Sequence, residues 1–273
     1  MSTKKPTIVF IPGLSSTASL VYAPLITQLQ KLGYQSFHPL ELPSINTVAT
    51  GASLKPNALE ADIAAIRSTL CQLIEEEQKK VILVAHSYGG TPALSATEGL
   101  WKENRTEEGK VGGIIKACLI SSSLCFPGDS IAGAREAFVK ENPGVLDDGA
   151  AKMEVVGEET FIVPEGFETA WFNDLPPEEM QKWGQTLKPT ALGAVITPVP
   201  LDSAIDVTKW KISYLVAKEK DLAMPEAAQK SLIEKARERG VDIESREIVS
   251  GHFVQVTHAE EVAGWIDEVA GGA

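Results

Sequence analysis

The chain is poor in cysteine: three in 273 residues, Cys71, Cys118 and Cys125, with no C-x-x-C pair. An odd, scattered set of this kind excludes a disulfide framework. Histidine is equally sparse. His38, His86, His252 and His258 show no H-x-x-x-H spacing, so a zinc centre has little to be built from and no metal is expected. No apolar run approaches the roughly 18 residues that a membrane-spanning helix needs. Cations are outnumbered, 25 Lys and Arg against 37 Asp and Glu, for a net charge of −12. Such a surface repels phosphate backbones and anionic lipid, so neither nucleic acid nor membrane is an expected partner. The first residues carry Lys4 and Lys5 before a short apolar run, without the h-region and cleavage site of a signal peptide. A cytoplasmic location is the resulting expectation.

What is present is ordinary for a globular protein: 44% apolar and 23% charged residues. Apolar runs alternate with amphipathic stretches, the pattern of a parallel sheet with helices on both faces. Thr7–Ile11 reads as a strand, 18–32 as a helix and 34–42 as a second strand. Asn57-Ala-Leu-Glu60 reads as a capping box opening a helix to about Gln78. Val81–Ala85 is apolar throughout, as a central strand must be when both of its faces are covered. A helix over 88–101 follows, then a solvated loop over 104–113 and a strand over 114–121. The rhythm fails from Leu124 to Asp206, which is rich in Pro and Gly and holds Phe126, Phe138, Phe161, Phe167, Trp171, Phe172 and Trp183. That segment reads as a helical insertion without clear strands. Strands over 212–217 and 243–249 and helices over 225–239 and 259–270 then complete one α/β domain.

The sharpest local signal is Ala85-His86-Ser87-Tyr88-Gly89, set between a buried strand and a helix. A serine on such a turn projects its hydroxyl above the sheet edge, provided that the residues two before and two after are small. Gly is usual at the first of those positions, and here it is Ala85. A serine hydroxyl needs a base, and the base needs an orienting group. On this architecture both follow the serine in the chain. Two histidines qualify. His252 stands at the end of the 243–249 strand, where a parallel sheet places its ligands, whereas His258 precedes the last helix and reads as a capping-region histidine. Asp221, after the 212–217 strand, is the candidate acid, with Glu219 its nearest competitor. The other strand end that could supply an acid reads Ser121-Ser122-Ser123-Leu124 and has no carboxylate.

Acyl transfer also needs N–H donors for an oxyanion. The residue after the nucleophile, Tyr88, supplies one. The loop Pro12-Gly13-Leu14 after the first strand fits the other, with Gly13 shaping the backbone and Leu14 donating. The early loop, the serine turn, the Asp221 turn and Gly251-His252-Phe253 with the 257–262 stretch resemble the α/β-hydrolase fold superfamily over nearly the whole chain. The sequence is most similar there to the small esterases grouped with plant methylesterases and hydroxynitrile lyases. Those usually carry His-Gly in the early loop, and Pro12 replaces that histidine.

The resemblance implies a doubly wound, mostly parallel sheet, a cap formed by 124–206, and hydrolysis of a small ester or lactone without a cofactor. Non-hydrolytic chemistry by the same three residues and small-molecule binding alone remain open. Phe253 stands where hydroxynitrile lyases carry a lysine, which argues against cyanohydrin cleavage. Ser87 excludes the aspartate-nucleophile branches of the fold. Cys125, near the mouth of the cap, reads as a buried structural thiol.

Overall fold

The computed structural model describes residues 5–45, 57–146, 151–201 and 205–271. Nine strands run in chain order among these residues: β1 (Thr7–Ile11), β2 (Phe37–Pro39), β3 (Lys80–His86), β4 (Gly113–Ile120), β5 (Lys152–Val156), β6 (Glu159–Val163), β7 (Thr190–Ala191), β8 (Lys211–Glu219) and β9 (Asp242–Ser250). Six of them form one parallel sheet, ordered β2-β1-β3-β4-β8-β9. The order reverses between β1 and β3, because the chain leaves β1 to one side for β2 and returns on the other for β3. An open parallel sheet binds its ligands at such a reversal, beyond the carboxyl ends of the strands.

Side chains alternate across the sheet with period two, and two cores result. Val9, Ile11, Leu83, Ala85, Ala117 and Leu119 pack with Leu59, Ile66 and Leu70 on one face. Ile8, Phe10, Ile82, Val84, Cys118 and Ile120 pack with Tyr22, Leu25, Leu29, Trp265 and Ile266 on the other. β3 contributes to both, which is why its Val81–Ala85 stretch is apolar without interruption.

Several elements differ from the sequence reading for local reasons. The first helix is two, Ala18–Val21 and Ala23–Lys31, because Pro24 opens a new helix and cannot continue an old one. β2 is short and ends at Pro39 on the sheet edge, where a missing N–H is tolerated. The capping box at Asn57 forms, with its side chain accepting from Glu60 N at 3.0 Å, and the helix Ala58–Cys71 continues into a π-helical turn to Glu76. The helix after the serine turn spans only Gly90–Ser95. The expected loop over 104–113 instead begins with a helix, Lys102–Glu107. Arg105 anchors that helix: its buried guanidinium donates to Val111 O at 3.1 Å and faces Glu75.

The segment between β4 and β8 contains helices Ile131–Glu141, Glu168–Trp171 and Pro177–Gly184, as expected. It also contains β5, β6 and β7 as a small antiparallel sheet, which the sequence reading did not anticipate. β5 lies exposed along its whole length, so it carries no alternating signature. Positions 147–150 and 202–204 of the segment lie outside the described residues. Its aromatics mostly bury the segment against the sheet domain. Phe172 stacks on Phe253 at 4.3 Å between ring centroids, and Phe126 on Trp210 at 5.7 Å.

Candidate active site

β3 is extended as far as His86, and Ser87 then turns to φ +49°. A non-glycine residue pays for this left-handed conformation unless its surroundings over-determine it. Here they do. The Ser87 carbonyl accepts from Ser123 N at 2.9 Å, Ser122 Oγ at 2.8 Å and Ser123 Oγ at 3.2 Å, all beyond the end of β4. The Ser121-Ser122-Ser123 run, barren of carboxylates, is thus the brace of the turn.

Small residues are required around it. A Cβ on Gly89 would stand 2.5 Å from Pro12 O, and one on Gly13 would stand 2.7 Å from His86 Nδ1 and 3.0 Å from Ser87 Cβ. Ala85 is wholly buried in β3, in register between Ile11 and Leu119. The same close approach sets the Pro12–Leu14 loop beside Ser87.

Three groups from three strand ends meet there. His252 Nε2 lies 2.9 Å from Ser87 Oγ, and His252 Nδ1 lies 3.0 Å from Asp221 Oδ2. A carboxylate can only accept, so Nδ1 carries the proton and the Nε2 lone pair faces the serine. Asp221 is held in turn: Oδ1 accepts from Ala223 N at 3.0 Å and Met224 N at 2.8 Å, while Oδ2 accepts from Gln229 Nε2 at 3.3 Å and from Ser121 Oγ. Ser121 Oγ also lies 3.3 Å from His252 Nδ1.

The competitors fall elsewhere. Glu219 is exposed at the end of β8, and His258 Nδ1 lies 2.8 Å from Thr257 Oγ1 and 3.2 Å from Ser250 Oγ. Cys125 is buried, and burial pushes its thiol up to about 11.

Five further residues shape the site, and the sequence reading gave none of them a part of its own in it, naming Trp171 only among the aromatics of the 124–206 segment. His86 lies fully buried, and its Nε2 donates to His252 O at 2.9 Å. Burial, and secondarily the neighbouring His252, hold its imidazole well below the ordinary value, so His86 is neutral. Asn173 and Asp174 tie the β4–β8 segment to both loops of the relay. Asn173 Nδ2 donates to Lys220 O at 2.9 Å, and Asp174 Oδ2 accepts from Gly251 N at 2.8 Å. Trp171 brings its ring to 6.1 Å from the imidazole of His252. Asp62 accepts from the Tyr88 hydroxyl at 2.6 Å and is completely buried.

Among the described residues no group of three or more His, Cys, Asp or Glu could hold a metal ion, and no helix is long and apolar enough to cross a membrane.

Comparison with known proteins agrees with this architecture. The chain is 25% identical to the "Probable hydrolase R7" of Phoma sp. (strain ATCC 20986 / MF5453), over 98% of this chain and 99% of that protein. Among solved structures it is similar to polyneuridine aldehyde esterase, with a TM-score of 0.69 and 18% identity over 97% of this chain and 99% of the other. It is also similar to tomato methylketone synthase I, crystallised with 2-tridecanone, with a TM-score of 0.68 and 16% identity over 98% of both chains. These structural likenesses show a shared fold. The model of the alpha/beta hydrolase family matches residues 8–265, and the chain belongs to that family.

Proposed function

We propose that the chain is a serine hydrolase that cleaves a small apolar carboxylic ester or lactone through an acyl-enzyme. The observation that carries this reading is the unbroken relay from Ser87 Oγ through His252 to Asp221, at 2.9 and 3.0 Å. Ser87 Oγ attacks the carbonyl carbon while His252 Nε2 takes its proton. Asp221 fixes the imidazole tautomer and stabilises the imidazolium that forms. The amides of Leu14 and Tyr88 receive the oxyanion. Collapse of the tetrahedral species expels the alcohol, which takes the proton back from His252. Water then enters, loses a proton to His252 and releases the acid, restoring Ser87. The reaction as written needs water alone as co-substrate.

The 124–206 segment acts in this reading as a cap, with Trp171 presenting an apolar wall beside the imidazole. The Pro12 replacement leaves the Leu14 amide in place as a donor. The small-molecule ester class is supported by the apolar surroundings of His252, where Trp171 and Phe253 stand within 6.1 Å of its ring. The test is turnover of a p-nitrophenyl ester series by the wild type and Ser87→Ala. The variant is expected to fold normally and to lose activity by about 10⁴-fold or more. Wild-type turnover by a folded Ser87→Ala protein would contradict the proposal.

A further inference from the structure

Among the described residues, one buried carboxyl group lies outside the relay. Asp62 sits on the inward face of helix Ala58–Cys71, in line with Leu59, Ile66 and Leu70, and is wholly enclosed. Its carboxylate takes three donors. Ser44 N gives to Oδ1 at 2.8 Å, while Ser44 Oγ and Tyr88 Oη both give to Oδ2 at 2.6 Å.

From Ser44 a chain of buried contacts leads onward. Ala191 N donates to Ser44 O at 2.9 Å, and Ile45 bridges Thr190 of β7 in antiparallel fashion. Thr190 Oγ1 accepts from Ser15 N at 2.9 Å and lies 3.1 Å from Ser15 Oγ. Ser15 adjoins Leu14. One carboxylate therefore grips both sides of the candidate oxyanion hole, Tyr88 directly and the Leu14 loop by way of β7.

We propose that Asp62 is a positioning residue for this hole, fixing the Tyr88 and Leu14 amides without touching substrate. The inference rests on the serine-hydrolase reading above. An ionised carboxylate satisfies all three donors because it only accepts. A protonated one must place its own O–H among them, so the Ser44 and Tyr88 hydroxyls can no longer both donate to Oδ2 and one must turn to accept. Asp62 therefore organises the hole when ionised and loosens it when neutral. Burial raises its carboxyl to about 6, against the lowering effect of the Ser44 and Tyr88 hydrogen bonds, so the change falls in the working range of a hydrolase.

Tyr88 is the titratable group that faces Asp62 from the serine turn, and Ser44 faces it from the segment after β2. Helices Gly90–Ser95 and Gly193–Ile196, packed against helix Ala58–Cys71, carry no ionisable side chain. On its own helix Glu60 is turned to Asn57, and Arg67 donates to Ala96 O and Glu98 O.

The experiment compares wild type, Asp62→Asn, Tyr88→Phe and Ser87→Ala on an activated p-nitrophenyl ester from pH 5 to 9. Asp62→Asn is expected to lower kcat about 10- to 100-fold at pH 8, with KM within about twofold, as misaimed donors in the hole would. The acid side of its kcat profile is expected to lose one ionisation relative to wild type. Tyr88→Phe keeps the backbone amide but removes a donor that favours the carboxylate. Its acid limb is expected to move to higher pH, and it carries the test alone if Asp62→Asn does not fold. Wild-type kcat in Asp62→Asn, or acid limbs unchanged in shape and position in the folded variants, would overturn the role. Activity surviving in Ser87→Ala would instead overturn the hydrolase reading beneath it.

Discussion

Replacing Asp62 by asparagine should change not only turnover but the dependence of stability on pH. The folded protein holds the Asp62 proton more tightly than an unfolded chain does, at about 6 against 3.8. At 1.36 kcal/mol per tenfold step in proton affinity, the difference is about 3 kcal/mol. A group whose folded value is raised stabilises fully below its unfolded value, and that stabilisation is lost as pH climbs through the folded value. Ionising Asp62 between about pH 4 and 6 thus costs the wild type stability that the asparagine variant never loses. About 2 of the 3 kcal/mol fall between pH 4.5 and 8.

Asparagine differs from aspartate in its hydrogen bonding as well, but that offset is independent of pH and cancels from the slope. With an unfolding entropy of about 2.1 cal/mol/K per residue, 2 kcal/mol corresponds to roughly 3–4 °C in a chain of 273 residues. Calorimetric melting of both proteins across that pH range should therefore show wild-type Tm falling relative to the variant by this amount. Parallel curves, or a gap that moves the other way, would refute a raised carboxyl and with it the desolvation argument.

Two other substitutions test the site's construction. Gly89→Ala places a methyl 2.5 Å from the Pro12 carbonyl and 2.8 Å from that of Ile11, both unyielding backbone. It should destabilise the fold by about 1–3 kcal/mol in denaturant melts and abolish ester turnover, since the serine turn and the early loop must separate. Asp221→Asn keeps the two turn amides as donors to Oδ1 but leaves the imidazole free to adopt the wrong tautomer. Steady-state kinetics should show kcat about 10⁴-fold lower with KM little changed.

The three groups proposed to react can be picked out in the sequence because each follows an unmistakable strand and because their chain order is constrained by the sheet. Ser87, Asp221 and His252 stand beyond β3, β8 and β9, and their neighbours spell out the turns. The supporting groups cannot, since they depend on contacts between distant positions. Ser121 meets an acid 100 residues away, and Asp174 meets Gly251 across 77. The absence of a carboxylate at Ser121–Ser123 favours Asp221 as the acid, with Glu219 its competitor, but nothing local announces that Ser122 and Ser123 brace the Ser87 carbonyl. Asp62 did leave a trace: an acid on the apolar stripe of Leu59, Ile66 and Leu70, where a charge has no reason to be without partners. The β5–β6 hairpin escaped because β5 is exposed along its whole length, so burial imposes no alternation on it, although β6 puts Phe161 into the core. The helix at Lys102–Glu107 escaped because its anchor, Arg105, is a charged residue held inside by hydrogen bonds and not by hydrophobicity.

The most direct measurement is covalent labelling with a fluorophosphonate, followed by peptide mapping of the 273-residue chain. A nucleophile activated by His252 should give one adduct, on Ser87, absent from Ser87→Ala and formed far more slowly in His252→Ala. An unlabelled wild type, or an adduct mapped to any other side chain, would contradict the account.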